Sequence, residues 1–178
     1  YELNKPGWKS PFSRDTEIVR PGYHKVHLDK YNMDVEITST ERVGLHRYTF
    51  QKGGTSDIIF SLGGKSGSAT MTNGVVSVTG KNEITGYYDR VKGRWGGPPR
   101  IRTFFVAQFD QPFAKFEEWS NGFGDTSGIV KFDGLKPGAE LNMKVAVSFT
   151  SIENARLNLE TECDHWDFDR VENESRAV

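Results

Sequence analysis

The sequence predicts an all-β fold, an antiparallel β-sandwich with one or two C-terminal helices. Three observations carry this reading. About ten short runs of β-forming residues recur at regular spacing along the 178 residues. Glycine-rich turns separate them, as expected of hairpin-connected sheets. After Ser151 the apolar period changes from two to three or four.

The elements follow in order. Met33-Asp34-Val35-Glu36-Ile37-Thr38 alternates apolar and polar residues, which puts one face in and one face out. Arg42 to Phe50 is similarly β-rich and is ended by Gln51-Lys52-Gly53-Gly54. Asp57 to Leu62 is a short apolar strand closed by Gly63-Gly64. Ser68–Thr72 and Val75–Thr79 flank Asn73-Gly74 and predict a hairpin, because a type I′ turn needs φ > 0 at both central residues. Further strands are expected at Ile84–Arg90, Arg102–Phe109, Ala114–Ser120, Gly128–Phe132 and Met143–Thr150, with a turn cluster over Asp133–Gly138. Ile152, Ala155 and Leu159 then fall three to four apart. Ser151 can cap that helix, Glu153 suits its first turn, and Cys163 lies at its end. Phe168 to Arg176 reads as a second, acidic helix whose apolar face looks unfinished. Residues 1–150 thus form the sandwich and 151–178 a helical segment.

Charge and composition exclude several classes. The 23 Lys and Arg residues oppose 24 Asp and Glu, a formal net charge of −1. A generic nucleic-acid binder needs a basic excess to collect phosphates. No stretch approaches the roughly 18 apolar residues of a membrane-spanning helix. The lone Cys163 can make no internal disulfide and leaves the compartment open. The chain opens on Tyr1 and its first methionine is Met33, so it is expected to lack an upstream segment of its parent.

Few residue groups suit chemistry. His24 and His27 lie three apart on a strand and point to opposite faces, so they cannot share one metal ion without a bulge. His46 sits in an alternating strand and is expected to be packing. Cys163, Asp164 and His165 are adjacent, but neighbours one and two apart on a helix do not face each other. No nucleophile elbow, phosphate loop or dinucleotide fingerprint is present. The most distinctive segment runs from Gly86 to Arg100, with Tyr87, Tyr88, Arg94 and Trp95 among glycines and basic residues. Aromatic faces beside hydrogen-bonding side chains suit sugar rings, so these four are the carbohydrate-contact candidates. A hairpin tip whose Trp95 packs back onto the sandwich is the structural alternative, and contact with a partner domain a third.

Several ordered blocks resemble the N-terminal domain of glycoside hydrolase family 92. Pro21-Gly22-Tyr23-His24-Lys25-Val26-His27-Leu28 is similar to that family's PGYY.V.L. Val35 to Phe50 is similar to ELTAT.RVG.HRYTF, and Phe104 to Phe113 to YFVAEFD.PF. Val147 to Glu160 resembles ISF.S.E.A..NL..E, and Trp166 to Val171 resembles W.FD.V. Arg14 stands where the family often has a histidine and His24 where a second tyrosine is usual. The loop around Trp95 matches no family motif.

The resemblance implies calcium-dependent exo-α-mannosidases that act with inversion, on α-1,2 linkages. In them a β-sandwich is joined by a helical linker to an (α/α)6 catalytic barrel. Residues 151–178 would be that linker, and the general acid, general base and calcium ligands would lie on the barrel. This stretch would then hold no catalytic residue, metal or cofactor, and hydrolyse nothing alone. Its implied partners are mannose-containing glycans and the parent's own catalytic domain, and its implied location is secreted, periplasmic or cell-surface. A stand-alone carbohydrate-binding module is the alternative. Trp166 and Phe168 are the domain-interface candidates. Cut ends should leave a bare strand edge or apolar face that favours self-association.

Overall fold

The computed structural model describes residues 9–66, 69–91, 100–120 and 126–177. Twelve strands lie among these residues: β1 (Ile18–Arg20), β2 (Tyr23–Leu28), β3 (Met33–Ser39), β4 (Val43–Phe50), β5 (Gly54–Phe60), β6 (Gly64–Ser66), β7 (Ala69–Val78), β8 (Glu83–Val91), β9 (Arg100–Phe109), β10 (Lys115–Ser120), β11 (Thr126–Leu135) and β12 (Ala139–Ser148). Two helices follow, α1 (Ile152–Glu162) and α2 (Phe168–Arg176). One sheet has nine antiparallel strands in the order β1-β2-β3-β4-β12-β9-β8-β7-β6. The other has three, in the order β10-β11-β5.

The sandwich core lies between the sheets. Met33 and Val35 of β3, Tyr48 and Phe50 of β4, Phe105, Ala107 and Phe109 of β9 meet Val130 and Phe132 of β11 there. The opposite face of the large sheet is also covered, a point the alternation does not show. Tyr23, Val43, Leu45, Val106 and Ala146 form a second core with Ala155, Leu159 and Cys163 of the first helical segment and Phe168 and Val171 of α2. The helices are therefore a third layer, with α1 over β12 and β9 and α2 over β3 and β2. Charged residues on the strands' second face, such as Glu36, Glu83 and Lys144, become buried as a result.

The helix limits match their local signals. Ser151 Oγ accepts from Asn154 N at 3.1 Å and caps α1. Asp167 caps α2 by accepting from Arg170 N at 2.9 Å. Phe168 and Val171 are the buried residues of α2 and supply its apolar face.

Asn73-Gly74 departs from the hairpin expectation. Both residues lie inside the single strand β7, where the pairing jumps from Thr72↔Asp89 to Val75↔Tyr87. Two residues thus oppose Tyr88 alone, a β-bulge. Asn73 takes φ 54°, the left-handed conformation that Asn-Gly favours, but uses it for the bulge. Gly74 is required by close approach, since a Cβ there would stand 2.4 Å from Leu62 Cβ. The expected turn cluster at Asp133–Gly138 is also divided. Asp133 and Gly134 form a second bulge within β11, and the turn itself falls at Lys136–Gly138.

Candidate functional site

β8 carries two of the four carbohydrate-contact candidates and separates them. Consecutive strand residues face opposite ways. Tyr88 packs against the sandwich core. Tyr87 lies on the other face, 5.9 Å from the Phe104 ring, with the Arg102 guanidinium 4.3 Å above its centroid. Both neighbours are its own chain's, so Tyr87 and Tyr88 do not make one aromatic platform. Arg94 and Trp95 lie outside the described residues.

Beside Tyr87, Asp89 is fully buried. Arg102 donates to it at 2.8 and 3.1 Å and Asn73 at 2.9 Å, and Arg100 pairs with it as well. The Arg102 hydrogen bonds, with those of Arg100 and Asn73, hold this carboxyl well below the ordinary range. The bulge at Asn73 is thereby tied to β8 and β9 at the root of the Gly86–Arg100 segment.

A second charged group joins α1 to the sheet. Glu83 Oε2 accepts from Arg156 Nη1 and Gln108 Nε2, both at 2.8 Å. Its Oε1 accepts from Arg156 Nη2 at 2.6 Å and Thr79 Oγ1 at 2.7 Å. The bidentate arginine brings its pKa down from 4.5 to about 2.

A third group joins α2. Glu36 accepts from the Tyr23 hydroxyl at 2.6 Å and from Arg47 at 3.0 Å through both Nε and Nη2. Arg47 also donates to Asp169 of α2 at 3.0 Å. Burial pushes the Glu36 carboxyl up, but the Arg47 and Tyr23 bonds outweigh it and leave it lowered.

The two interface candidates differ in what they meet. Phe168 is buried in its own chain, edge-on to Tyr23 at 6.4 Å and beneath the Arg47 guanidinium at 4.3 Å. This corrects the expectation of an uncovered residue: the second core supplies the cover. Trp166 remains 37% exposed, and its ring stands 4.1 Å from Lys144 Nζ. Lys144 is almost fully buried on β12 and donates to the carbonyls of Cys163 at 3.0 Å and His165 at 3.4 Å. It satisfies the end of α1 from the sheet side. Burial lowers the pKa of this amine.

The remaining candidates are structural. His24 contacts Glu17 at 3.0 Å and His27 contacts Asp34 at 2.7 Å, on opposite faces of β2 as expected. Burial pushes His46 down to about 4, so it is neutral beside the Tyr48 hydroxyl. Cys163 is buried, its thiol raised by desolvation and donated to the His165 carbonyl. Among the described residues, no three His, Cys, Asp or Glu side chains group as metal ligands. The residues missed in sequence are Glu36, Glu83 and Lys144. Each stands among other polar residues of its strand, so nothing local set it apart.

A broad antiparallel sheet faced by a smaller one and backed by C-terminal helices defines an all-β sandwich domain. The chain belongs to the glycosyl hydrolase family 92 N-terminal domain family, whose pattern matches residues 2–148. Its fold is similar to that of a family GH92 α-mannosidase from Bacteroides thetaiotaomicron, at 23% identity and a TM-score of 0.76 over 94% of this chain and 24% of that one. A GH92-family glycosyl hydrolase, ccman5, gives 22% identity and 0.76 over 94% and 24%. An inverting GH92 mannosidase, also from Bacteroides thetaiotaomicron, gives 19% identity and 0.75 over 94% and 23%. The chain spans about a quarter of the length of these solved proteins. No curated protein sequence matches it.

Proposed function

We propose that this chain is the non-catalytic sandwich domain of an exo-α-mannosidase, which hydrolyses terminal α-1,2-mannosides with inversion. In this reading it supports and helps shape the sugar pocket of an (α/α)6 catalytic domain. The family match over residues 2–148 carries the proposal. The state of the carboxylates supports it. An inverting pair needs one carboxylic acid kept protonated near neutral pH, with its partner ~6.5–9.5 Å away to hold a water. Glu36, Glu83 and Asp89 are each held ionised by their own chain's arginines, the opposite of what a general acid requires.

The family also implies calcium. The described residues do not fit such a site, because their buried carboxylates already face guanidinium groups and leave no oxygen-lined cage. We therefore assign the ion to the catalytic domain. Trp166, exposed at the junction of the helices, is the residue of this chain proposed to meet that domain. A secreted, periplasmic or cell-surface location and mannose-containing glycans as ligands of the whole protein belong to the same proposal.

The test is turnover of an aryl α-mannoside with calcium present. The isolated chain should show none, and the whole parent protein should release mannose with inverted anomeric configuration. Hydrolysis by the isolated chain would overturn the reading. Micromolar binding of α-mannobiose to the isolated chain, measured by calorimetry, would favour a stand-alone binding module instead.

A further inference from the structure

Asp89 is fully buried, yet the two guanidinium groups that meet it stay in contact with solvent, 54% exposed at Arg100 and 38% at Arg102. Both arginines belong to β9 and lie two apart, so they share one face of that strand, and Arg102 stands directly opposite Asp89 in the ladder. One carboxylate thus faces two guanidinium groups, and the cluster keeps one positive charge. Asn73 Nδ2 closes the same carboxylate from the bulge of β7 at 2.9 Å.

The hydrogen bonds decide which donors remain. Arg102 Nε donates to Asp89 Oδ1 at 2.8 Å and Arg102 Nη2 to Oδ2 at 3.1 Å, so one edge of that guanidinium is occupied. The other edge, Nη1 with the second hydrogen of Nη2, has no partner among the described residues. Arg100 commits only Nη2 to Asp89. The Arg102 plane is fixed further by the Tyr87 ring, 4.3 Å from its centre, and Phe104 stands 5.9 Å beyond that ring. A fork held in place by a buried carboxylate loses little freedom when a ligand arrives. Its open edge offers two parallel N–H groups, the geometry that receives a carboxylate bidentately. The single residual charge matches a monoanion, and the two rings form an apolar border beside it. A carboxylate carried on a sugar ring meets both, its oxygens on the arginines and its C–H face toward the rings.

We infer that Arg100 and Arg102 form a binding site for the carboxylate of an acidic sugar, a uronic acid, with Tyr87 and Phe104 as its apolar border. The inference rests on the reading of this chain as part of a glycan-processing protein, and it adds an acidic sugar to the mannose-containing ligands proposed there. Its test is made on this chain and scores no turnover, so failure here and failure of the mannosidase reading are separate results.

The experiment is an NMR titration of the full chain with sodium glucuronate, glucose, sodium acetate and inorganic phosphate, at matched pH and ionic strength. Glucuronate should shift the side-chain N–H signals of Arg100 and Arg102 and the ring signals of Tyr87. Its Kd should lie at least about tenfold below those of glucose and acetate, the worth of one charge-assisted hydrogen bond. Arg100→Gln should weaken glucuronate at least about fivefold while Arg102 and Asn73 still hold Asp89. The comparison among the four probes on the wild-type chain stands even if that variant folds poorly. Shifts that leave both arginines unmoved, or no shifts at all, would overturn the inference. Equal affinity for acetate and glucuronate would overturn it in favour of an acidic side chain of a partner protein. Tighter binding of inorganic phosphate than of glucuronate would overturn it in favour of a phosphate group.

Discussion

Replacing Glu83 by Gln probes how α1 is fastened to the sandwich. Glu83 is buried on β8 and receives four hydrogen bonds, two of them from Arg156 of α1. Its pKa falls from 4.5 to about 2, which corresponds to about 3 kcal/mol favouring the folded state at neutral pH. Arg156 is a third exposed, and solvent screening there reduces the loss expected in E83Q to about 2 kcal/mol. The sign follows from linkage. A carboxyl with a depressed folded pKa contributes its stability above the unfolded value of 4.5 and loses it as pH falls toward 2. Urea unfolding of wild type and E83Q, at neutral pH and at about pH 3, is the assay. Wild type should be the more stable by about 2 kcal/mol at neutral pH, and the gap should narrow to less than half at about pH 3. A gap that stays constant across that range, or one below about 0.5 kcal/mol at neutral pH, would refute the ion-pair account.

Four further outcomes follow from the packing and the helix cap. Phe168→Ala should cost about 3–4 kcal/mol in thermal or urea unfolding, because the residue is buried between Tyr23 and Arg47. Trp166→Ala should cost about 1 kcal/mol or less in the isolated chain, since its ring is partly exposed and contacts chiefly Lys144. Gly86→Ala should destabilise by about 2–3 kcal/mol, read as a lowered melting temperature, because a Cβ would stand 2.1 Å from Val75 O and 2.8 Å from the Phe105 ring. Ser151→Ala should cost about 1 kcal/mol by removing the cap of α1, and circular dichroism should show the loss without a change of fold.

What the sequence determined by itself was whatever is encoded within a few residues. Period-two alternation places Met33–Ser39 and Val43–Phe50 as strands. Ser151 and the three-to-four spacing after it place α1, and Phe168–Arg176 is a helix with the expected limits. The family was legible too, because its motif blocks occur in order along the chain. The opposite faces of Tyr87 and Tyr88 were implicit in their adjacency, yet neither Phe104 nor Arg102 could be assigned to Tyr87 before the strands were paired.

Tertiary structure decided which polar face was truly a surface. Alternation marks two faces of a strand but cannot say that helices far along the chain will cover the second one. Glu83 meets Arg156 across 73 positions and Arg47 meets Asp169 across 122, so no local pattern records either pair. Phe168 looked uncovered for the same reason, its neighbours Tyr23 and Arg47 being more than a hundred residues away. Asn73-Gly74 shows the limit most sharply. The left-handed preference expected of both residues is local and is met at Asn73 alone, and a hairpin turn and a β-bulge can both use it. The choice between them rests on whether the flanking segments pair with each other or with a third strand. Here β8 pairs with both, because Leu62 and Asp89 offer the close packing and the hydrogen bond that hold the bulge.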